Sequence, residues 1–481
     1  MSKAFKNKVK LNDMVSVRDY GAIGTVNDTA VFQAAINDVK SKGGVLLIPP
    51  GTYVVNSLSV AAGTYHWELR GAGSGVTILK HGTGEDTLIT GNLGGVPITI
   101  RGMTLDCEWS TYAHPDANHG ISLSDSDDIL VEDVIIEDYK NSAVLIFANA
   151  AGTYKNAQIR DCRAFGNGVT TNNGFLLDNM RYSSIINCET QDARGSPGYG
   201  IQLKNDSQFC KVIASGAYNC TGGVIFGRSS PEPWPSKNEV VGAYAFGCEN
   251  ATLFSSITLN SIHFSLIDML NQGSHAVETT GDATGNVVRV DVLRNTSSGS
   301  RAFYIEGSGA TNNYFEAGLL EDVNNGGSAV TFGATTTNNR VVVKRMTNPT
   351  SVSPIRNLTS YPSGISSGNE FVYEGYEYID FATISSGSAT LRNPVASSLL
   401  VDTEGAASTD DLDTITAPVS DGKMLIVRQS NDARDVTVRH NTGNIKLAGG
   451  VNFTLGTNNS SLELLYRTGV GWVEMSRSSI P

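Results

Sequence analysis

Asp178, Glu189 and Asp192 lie close together in the chain and are followed by Arg194, Tyr199 and Lys204. Paired carboxyl groups do acid–base work: glycosidic hydrolysis needs two of them flanking the bond, about 5 to 5.5 Å apart for retention or about 6.5 to 9.5 Å for inversion. A carboxyl held beside another acid keeps its proton to higher pH, as a general acid must. Asp178, Glu189 and Asp192 are therefore the candidate catalytic residues, with Arg194 and Tyr199 beside them. In β-elimination, the alternative chemistry, Lys204, Arg228, Tyr199 or His119 would serve as base or charge stabiliser. The same acids also read as solvent-facing residues that keep strand faces soluble, and Asp178 with Lys204 as a plain surface ion pair.

Two insertions carry the remaining candidates. The segment between Asp106 and Gly120 gathers Trp109, Tyr112, His114 and His119, whose rings and imidazoles could stack on a sugar face and hydrogen-bond its hydroxyls, or simply pack on one another. The segment from Arg228 to Lys237 holds Trp234 among three prolines, a rigid tryptophan suited to carbohydrate stacking or to a subunit contact. The six cysteines show no CxxC spacing, so metal or disulfide chemistry is not expected and core packing is. No cofactor is implied.

A repeat must position these residues. Val131-Glu-Asp-Val recurs as Ile159-Arg-Asp-Cys, Ile185-Ile-Asn-Cys, Val212-Ile-Ala-Ser and Val240-Val-Gly-Ala, and runs on through Ile262, Val287, Tyr314 and Val341. The step is 22 to 28 residues, without helical patterning. A second short strand recurs within each repeat, as in Gly174-Phe-Leu-Leu and Gly200-Ile-Gln-Leu, bounded by turn residues. Short strands with no room for a helix predict a coil in which each strand pairs in parallel with its copy one turn later, about 4.8 Å away. Like residues then stack: Cys162 on Cys188, Cys220 on Cys248, Asp138 two coils from Asp192, and Asp178 next to Lys204. Outward acids one or two coils apart approximate either hydrolytic spacing.

Composition bounds the rest. The 481 residues can bury more than one core, and 51 glycines with 17% charged residues suit a turn-rich all-β protein. Net charge is −12, which argues against a nucleic-acid partner, since no dominant basic surface could displace phosphate counterions. No apolar core of a signal peptide follows the basic start, and no run of about 18 apolar residues predicts a membrane span. Three units are expected: an arm over 1–14, a β-helix over 15–369, and an antiparallel β-sandwich over 370–481 that trimerises the protein or touches glycans.

Val15-Ser-Val-Arg-Asp-Tyr-Gly-Ala-Ile-Gly, the run Asn27 to Ile36 and Gly43-Gly-Val-Leu-Leu-Ile-Pro-Pro-Gly-Thr-Tyr resemble the opening of the pectate-lyase-like right-handed β-helices of phage tailspikes and related polysaccharide-degrading proteins. Asp28 would cap a helix with Phe32, Ala35, Ile36 and Val39 on its apolar face, covering the open end of the first coil. Gly422 to Arg477 resembles the small C-terminal β-domains of phage tail proteins. The resemblances imply an all-β, right-handed, single-stranded parallel β-helix with a capping helix and a C-terminal sandwich. They also imply a homotrimer, made in the host cytoplasm and carried in the virion, that cleaves a capsule or O-antigen polysaccharide. Its short arm would dock on another tail protein, unless the sequence is a fragment. A non-catalytic glycan-binding receptor protein stays open. The Arg-x-Lys pattern of polygalacturonases and the Tyr-Gly-x-Asp-Pro pattern of alginate epimerases are missing, so no catalytic residue carries over from either.

Overall fold

The structure, a computed structural model, describes residues 14–61, 63–83, 87–112, 118–150, 153–168, 171–195, 198–228, 233–269, 275–295, 301–307, 309–322, 330–333, 335–347, 355–357, 368–373, 379–391, 396–416, 421–457 and 459–479. Its main body is a right-handed parallel β-helix. Sheet A has 19 strands and sheet B has 12, the latter running from Leu58–Ser59 to Ile355–Asn357. Every pairing between coils in both sheets is parallel, as in Leu130–Glu137 on Gln158–Arg160 and Asn173–Asp178 on Tyr199–Lys204. A third edge is made of single bridges that link Lys155, Arg181, Gln208, Ser236, Thr258, Thr284, Thr311 and Thr337 in turn.

Over its central coils sheet A is bent into two ladders by one left-handed residue per coil. Gly102, Asp133, Asp161, Asn187, Ala214 and Gly242 occupy that column, with φ between 47° and 71°. Glycine, Asn and Asp tolerate this conformation best, which explains every residue of the column except Ala214. The strand repeat matches the registers at Val131, Ile159, Ile185, Val212, Val240 and Ile262. Val288 and Phe315, not Val287 and Tyr314, continue the inward column. The reason lies in the adjacent apolar pairs Val287-Val288 and Tyr314-Phe315, which leave the phase of alternation ambiguous.

Inside the turn before sheet A runs a ladder of buried asparagines, Asn238, Asn260, Asn286, Asn313, Asn339 and Asn369. Asn238 Oδ1 accepts from Cys210 N, and from Asn260 on each side-chain oxygen accepts the backbone N–H of the asparagine one coil earlier, from Asn238 N on Asn260 Oδ1 at 2.9 Å to Asn339 N on Asn369 Oδ1 at 2.9 Å. From Asn260 onward the amide nitrogens also donate up the stack, so buried polar groups that would otherwise be orphaned are paired. The six cysteines are free and buried; Cys162 and Cys188 fill successive coils of one interior column, and Cys220 and Cys248 of another.

The first coil is closed by the helix Thr29–Lys42, whose Phe32, Ala35, Ile36 and Val39 join the β-helix core. Asp28 sits at its N-cap without capping it: its carboxylate accepts from Gly24 N at 2.8 Å and ties down the preceding loop, while Asn27 Oδ1 takes Thr29 N at 3.0 Å.

The C-terminal part has its own core around Leu399, Val427, Leu464 and Trp472. Antiparallel ladders of the expected sandwich occur only from Met424 onward, Asp435–Val438 with Phe453–Leu455 among them. Ile379–Thr383, Ser398–Asp402 and Met424–Gln429 pair in parallel, as do Thr409–Leu412 and Asp435–Val438. Ser461–Arg467 then runs antiparallel to Met424–Gln429 and to Gly471–Ser478. Glu370–Tyr373, placed in this unit on sequence, instead pairs with Arg340–Thr347 as the last rung of sheet A. Among the described residues no helix is long and apolar enough to cross a membrane.

Candidate active site

On the second ladder of sheet A, successive coils present outward pairs of side chains two residues apart: Ile135 and Glu137, Arg163 and Phe165, Glu189 and Gln191, Gly216 and Tyr218, Tyr244 and Phe246. A groove of about 320 Å³ opens here, lined by Asp133, Asp161, Arg163, Glu189 and Tyr244 among others. A second groove of the same size shares Asp133 and Asp161 and continues toward Arg70 and Arg101.

Glu189 is the best-held carboxylate in the groove. Its Oε2 accepts from the Tyr244 hydroxyl at 2.7 Å and its Oε1 from Gln191 Nε2 at 2.5 Å. Tyr244 reaches it from two coils away because Gly216 lies between: a Cβ there would come within 2.6 Å of the Tyr244 ring and 2.3 Å of its carbonyl oxygen. Burial, then the Glu189 carboxylate, push the Tyr244 phenol well above its ordinary value. The facing wall comes from the left-handed column, where Asp133 Oδ1 accepts from Ser74 Oγ and Asp161 Oδ1 from Asn187 Nδ2, each at 2.7 Å. Asp161 stands one coil back and two residues along from Glu189, a backbone separation of roughly 8 Å for ordinary sheet geometry. Arg163, the register partner of Glu189 on the preceding coil, forms no ion pair among the described residues.

At the N-terminal end of the same outward strip lies a carboxyl pair. Burial and then the neighbouring Glu108 raise Asp106 to about 6. Burial opposes the ionisation of Glu108 too, but hydrogen bonds from Lys80, Thr111 and Asp106 bring it below its ordinary value. Past the groove the strip turns aromatic, with Tyr218 and Phe246 stacked at 5.1 Å between centroids.

The other expected residues are distributed differently. Asp178 ends a strand of sheet B, accepts from Asn205 Nδ2 at 2.5 Å and lies 3.8 Å from Lys204 Nζ, its neighbour in register. Tyr199 begins the strand that Lys204 ends, and burial raises its phenol. Asp192 is a left-handed turn residue two coils from Asp138, with its carboxylate bound to the Asn219 amide. Arg194 grips the same turn stack, donating to Asn219 O at 3.0 Å and Gly247 O at 3.3 Å. Asp178, Glu189 and Asp192 thus fall on a strand of sheet B, a strand of sheet A and the turn after it, and only Glu189 lines the groove. Their physical reason for parting is the coil itself, which sends residues a few positions apart to different faces.

In the first insertion, Trp109–Tyr112 forms a single helical turn and Lys140 Nζ sits 5.5 Å from the Trp109 ring centre. His119 is nearly buried, which lowers it to about 4. His114 lies outside the described residues, as does the side chain of Tyr112. In the second, the Arg228 guanidinium stacks 4.6 Å from the Trp234 ring, and Trp234 packs on the β-helix core. Sequence reasoning missed Asp133, Asp161, Arg163 and Tyr244. The signal was present in the aspartates at the third position of Val131-Glu-Asp-Val and Ile159-Arg-Asp-Cys, which stack in one column.

Residues 14–224 match the family described as rhamnogalacturonase A/epimerase, pectate lyase-like. Among solved structures the chain is similar to the pre-mature gene product 12 of bacteriophage phi29, at 16% identity and a TM-score of 0.57 over 83% of this chain and 63% of that one. It is similar to the A-module of mannuronan C-5 epimerase AlgE6 from Azotobacter vinelandii, at 18% identity and a TM-score of 0.51 over 75% and 98%. A family 28 exopolygalacturonase of Yersinia enterocolitica aligns at 12% identity and a TM-score of 0.51 over 75% and 78%. No curated protein sequence matches the chain. At these identities the likenesses show the fold, a pectate-lyase-like parallel β-helix.

Proposed function

We propose that the chain is a phage tailspike depolymerase that binds a bacterial surface polysaccharide along sheet A and hydrolyses its glycosidic bonds in the groove at Glu189. The observation that carries this reading is the Tyr244 ring laid over Gly216 to hold Glu189 opposite Asp161 and Asp133. A phenol brought across two coils to orient one carboxylate in a groove is a poor solubilising device and a good positioning one. Carboxyl groups about 6.5 to 9.5 Å apart invert with a water between them, and the groove of about 320 Å³ that Glu189 and Asp161 both line has room for one. Glu189, gripped by two donors and so oriented as an acceptor, draws the proton from that water. Asp161 delivers a proton to the leaving oxygen as the bond breaks. The family match over 14–224 and the exopolygalacturonase likeness support a polysaccharide as substrate, and the phi29 likeness with the opening motif supports a phage particle as the setting. In this reading three copies pack side by side, covering coil flanks that a lone rod leaves open, and residues 1–14 dock on another tail protein. The C-terminal unit trimerises the spike or touches glycans.

A second reading has an observation of its own. Arg163, uncompensated by any ion pair among the described residues, would hold a uronate carboxylate while the Glu189 carboxylate takes the neighbouring C–H proton and the leaving oxygen departs in β-elimination. Incubation with a panel of capsular and O-polysaccharides, reading fragment size and ultraviolet absorbance together, separates the two. Fragments without new absorbance are expected. Glu189→Gln and Asp161→Asn should each lower the cleavage rate by about 10²-fold or more while polymer binding persists, and Asp178→Asn should leave it near wild type. New absorbance would replace hydrolysis by elimination, and bound but uncut polymer would make the protein a receptor-binding adhesin.

A further inference from the structure

Along the outer face of sheet B one column reads Leu145, Leu176, Gln202, Ile225 and Leu253 over five successive coils, and then changes character. The next three positions are Glu278, Tyr304 and Thr331. The Tyr304 ring meets the His275 ring at 4.2 Å between centroids, and the Arg301 guanidinium lies 5.0 Å from the same ring. Arg301 Nε donates to Thr331 Oγ1 at 2.8 Å, and the Tyr304 hydroxyl bonds the Glu306 carboxylate. Neither Glu278 nor Arg301 forms an ion pair among the described residues, although both are only half-buried. Burial, then Arg301, lower His275 to about 4, so its imidazole is neutral near pH 7, with Nδ1 accepting from Arg301 N at 3.3 Å and Nε2–H left to donate; burial and Glu306 raise Glu278.

A purely structural cluster on a solenoid face would pair its guanidinium with a carboxylate. Here the planar donors and acceptors are instead arranged around an aromatic stack, the combination that grips a polyhydroxylated ring by its vicinal hydroxyls and its apolar face. We infer that this patch on sheet B is a second sugar-binding site, separate from the groove on sheet A, in which Arg301, Glu278 and His275 hydrogen-bond glycan hydroxyls beside the Tyr304 ring. The inference rests on the polysaccharide-binding reading but not on where cleavage occurs. A long polymer engaged at both sheets would be held between cuts, raising its residence without any change at the reacting carboxylates.

The test is calorimetric titration of the full chain, in the Glu189→Gln background, with size-fractionated oligosaccharides cut from the polysaccharide it binds. Two sites per chain are expected, falling to one in Tyr304→Ala and in Arg301→Gln, with the apparent affinity for long polymer down about tenfold or more. Arg301→Gln keeps the hydrogen bond to Thr331 within reach, so it reports binding even where Tyr304→Ala lowers stability. One site per chain, or two sites that survive both substitutions in folded protein, overturns the inference. Failure of the groove reading is distinct, since Glu189→Gln would then still cleave.

Discussion

Tyr244 reaches Glu189 only across a missing side chain, so the hydrogen bond between them is also a test of Gly216. Gly216→Ala must move the Tyr244 ring or backbone by more than half an ångström to restore ordinary contact. It should therefore cost more activity than Tyr244→Phe, which loses the hydroxyl alone; equal losses would show that the ring position is irrelevant. At Asp106 the expectation concerns pH. Its folded value, about 6, lies above the ordinary aspartate value of 3.8, so its contribution to stability is complete below about 3.8 and lost as pH rises through about 6. Asp106→Asn, neutral throughout, should gain thermal stability over wild type as pH goes from 5 to 7. A difference in melting temperature that stays flat over that range would place the titration elsewhere. These residues mark the limit of what the sequence discloses. The stacking of Asp138 with Asp192 and of Asp178 with Lys204 was legible because one coil spacing fixes it. The partnership of Glu189 with Tyr244 was not, because it spans two coils and depends on which way a ring leans over a glycine.

The strongest element is the asparagine ladder, and it predicts a local weak point when broken. Asn286 accepts from Asn260 N at 3.1 Å and from Asn260 Nδ2 at 3.0 Å, and donates to Ile257 O at 3.0 Å and Asn313 Oδ1 at 2.9 Å. Asn286→Ala strips four buried partners, and leaving even two of them unsatisfied costs about 2–6 kcal/mol. Unfolding of the variant at a fixed elevated temperature should be much faster than wild type, and an unchanged rate would remove the ladder from the stability of the rod. The ladder was visible in the chain as an asparagine two residues before each inward apolar residue from Val240 to Phe371. The helix face of Phe32, Ala35, Ile36 and Val39 was equally plain from its period. The C-terminal strands were harder, since alternation identifies a strand but not its partner, and parallel neighbours about a coil apart look like hairpins when the turns between them are short.

For the whole molecule, two cores and a rod with open flanks set the expectations. Light scattering of the purified protein should return three times the 51.0 kDa chain mass, and a monomer at micromolar concentration would remove the side-by-side packing from the proposal. The acidic balance of −12 keeps such an assembly soluble and leaves substrate attraction to local features such as Arg163. The bend of sheet A and the coil spacing belong to the whole as well: they make a long face on which the groove and the aromatic strip occupy successive stretches.

The six buried thiols give this rod a built-in clock. All six thiols are shut from solvent, and burial pushes those of Cys107 and Cys162 well up and Cys210 to about 12, so alkylation waits until a coil opens. Alkylation at neutral pH then counts opening events, coil by coil, from Cys107 near the first insertion to Cys248 in the middle of the helix. Mass spectrometry of which cysteine is modified first would show from which end the solenoid unravels, with no label added to the chain.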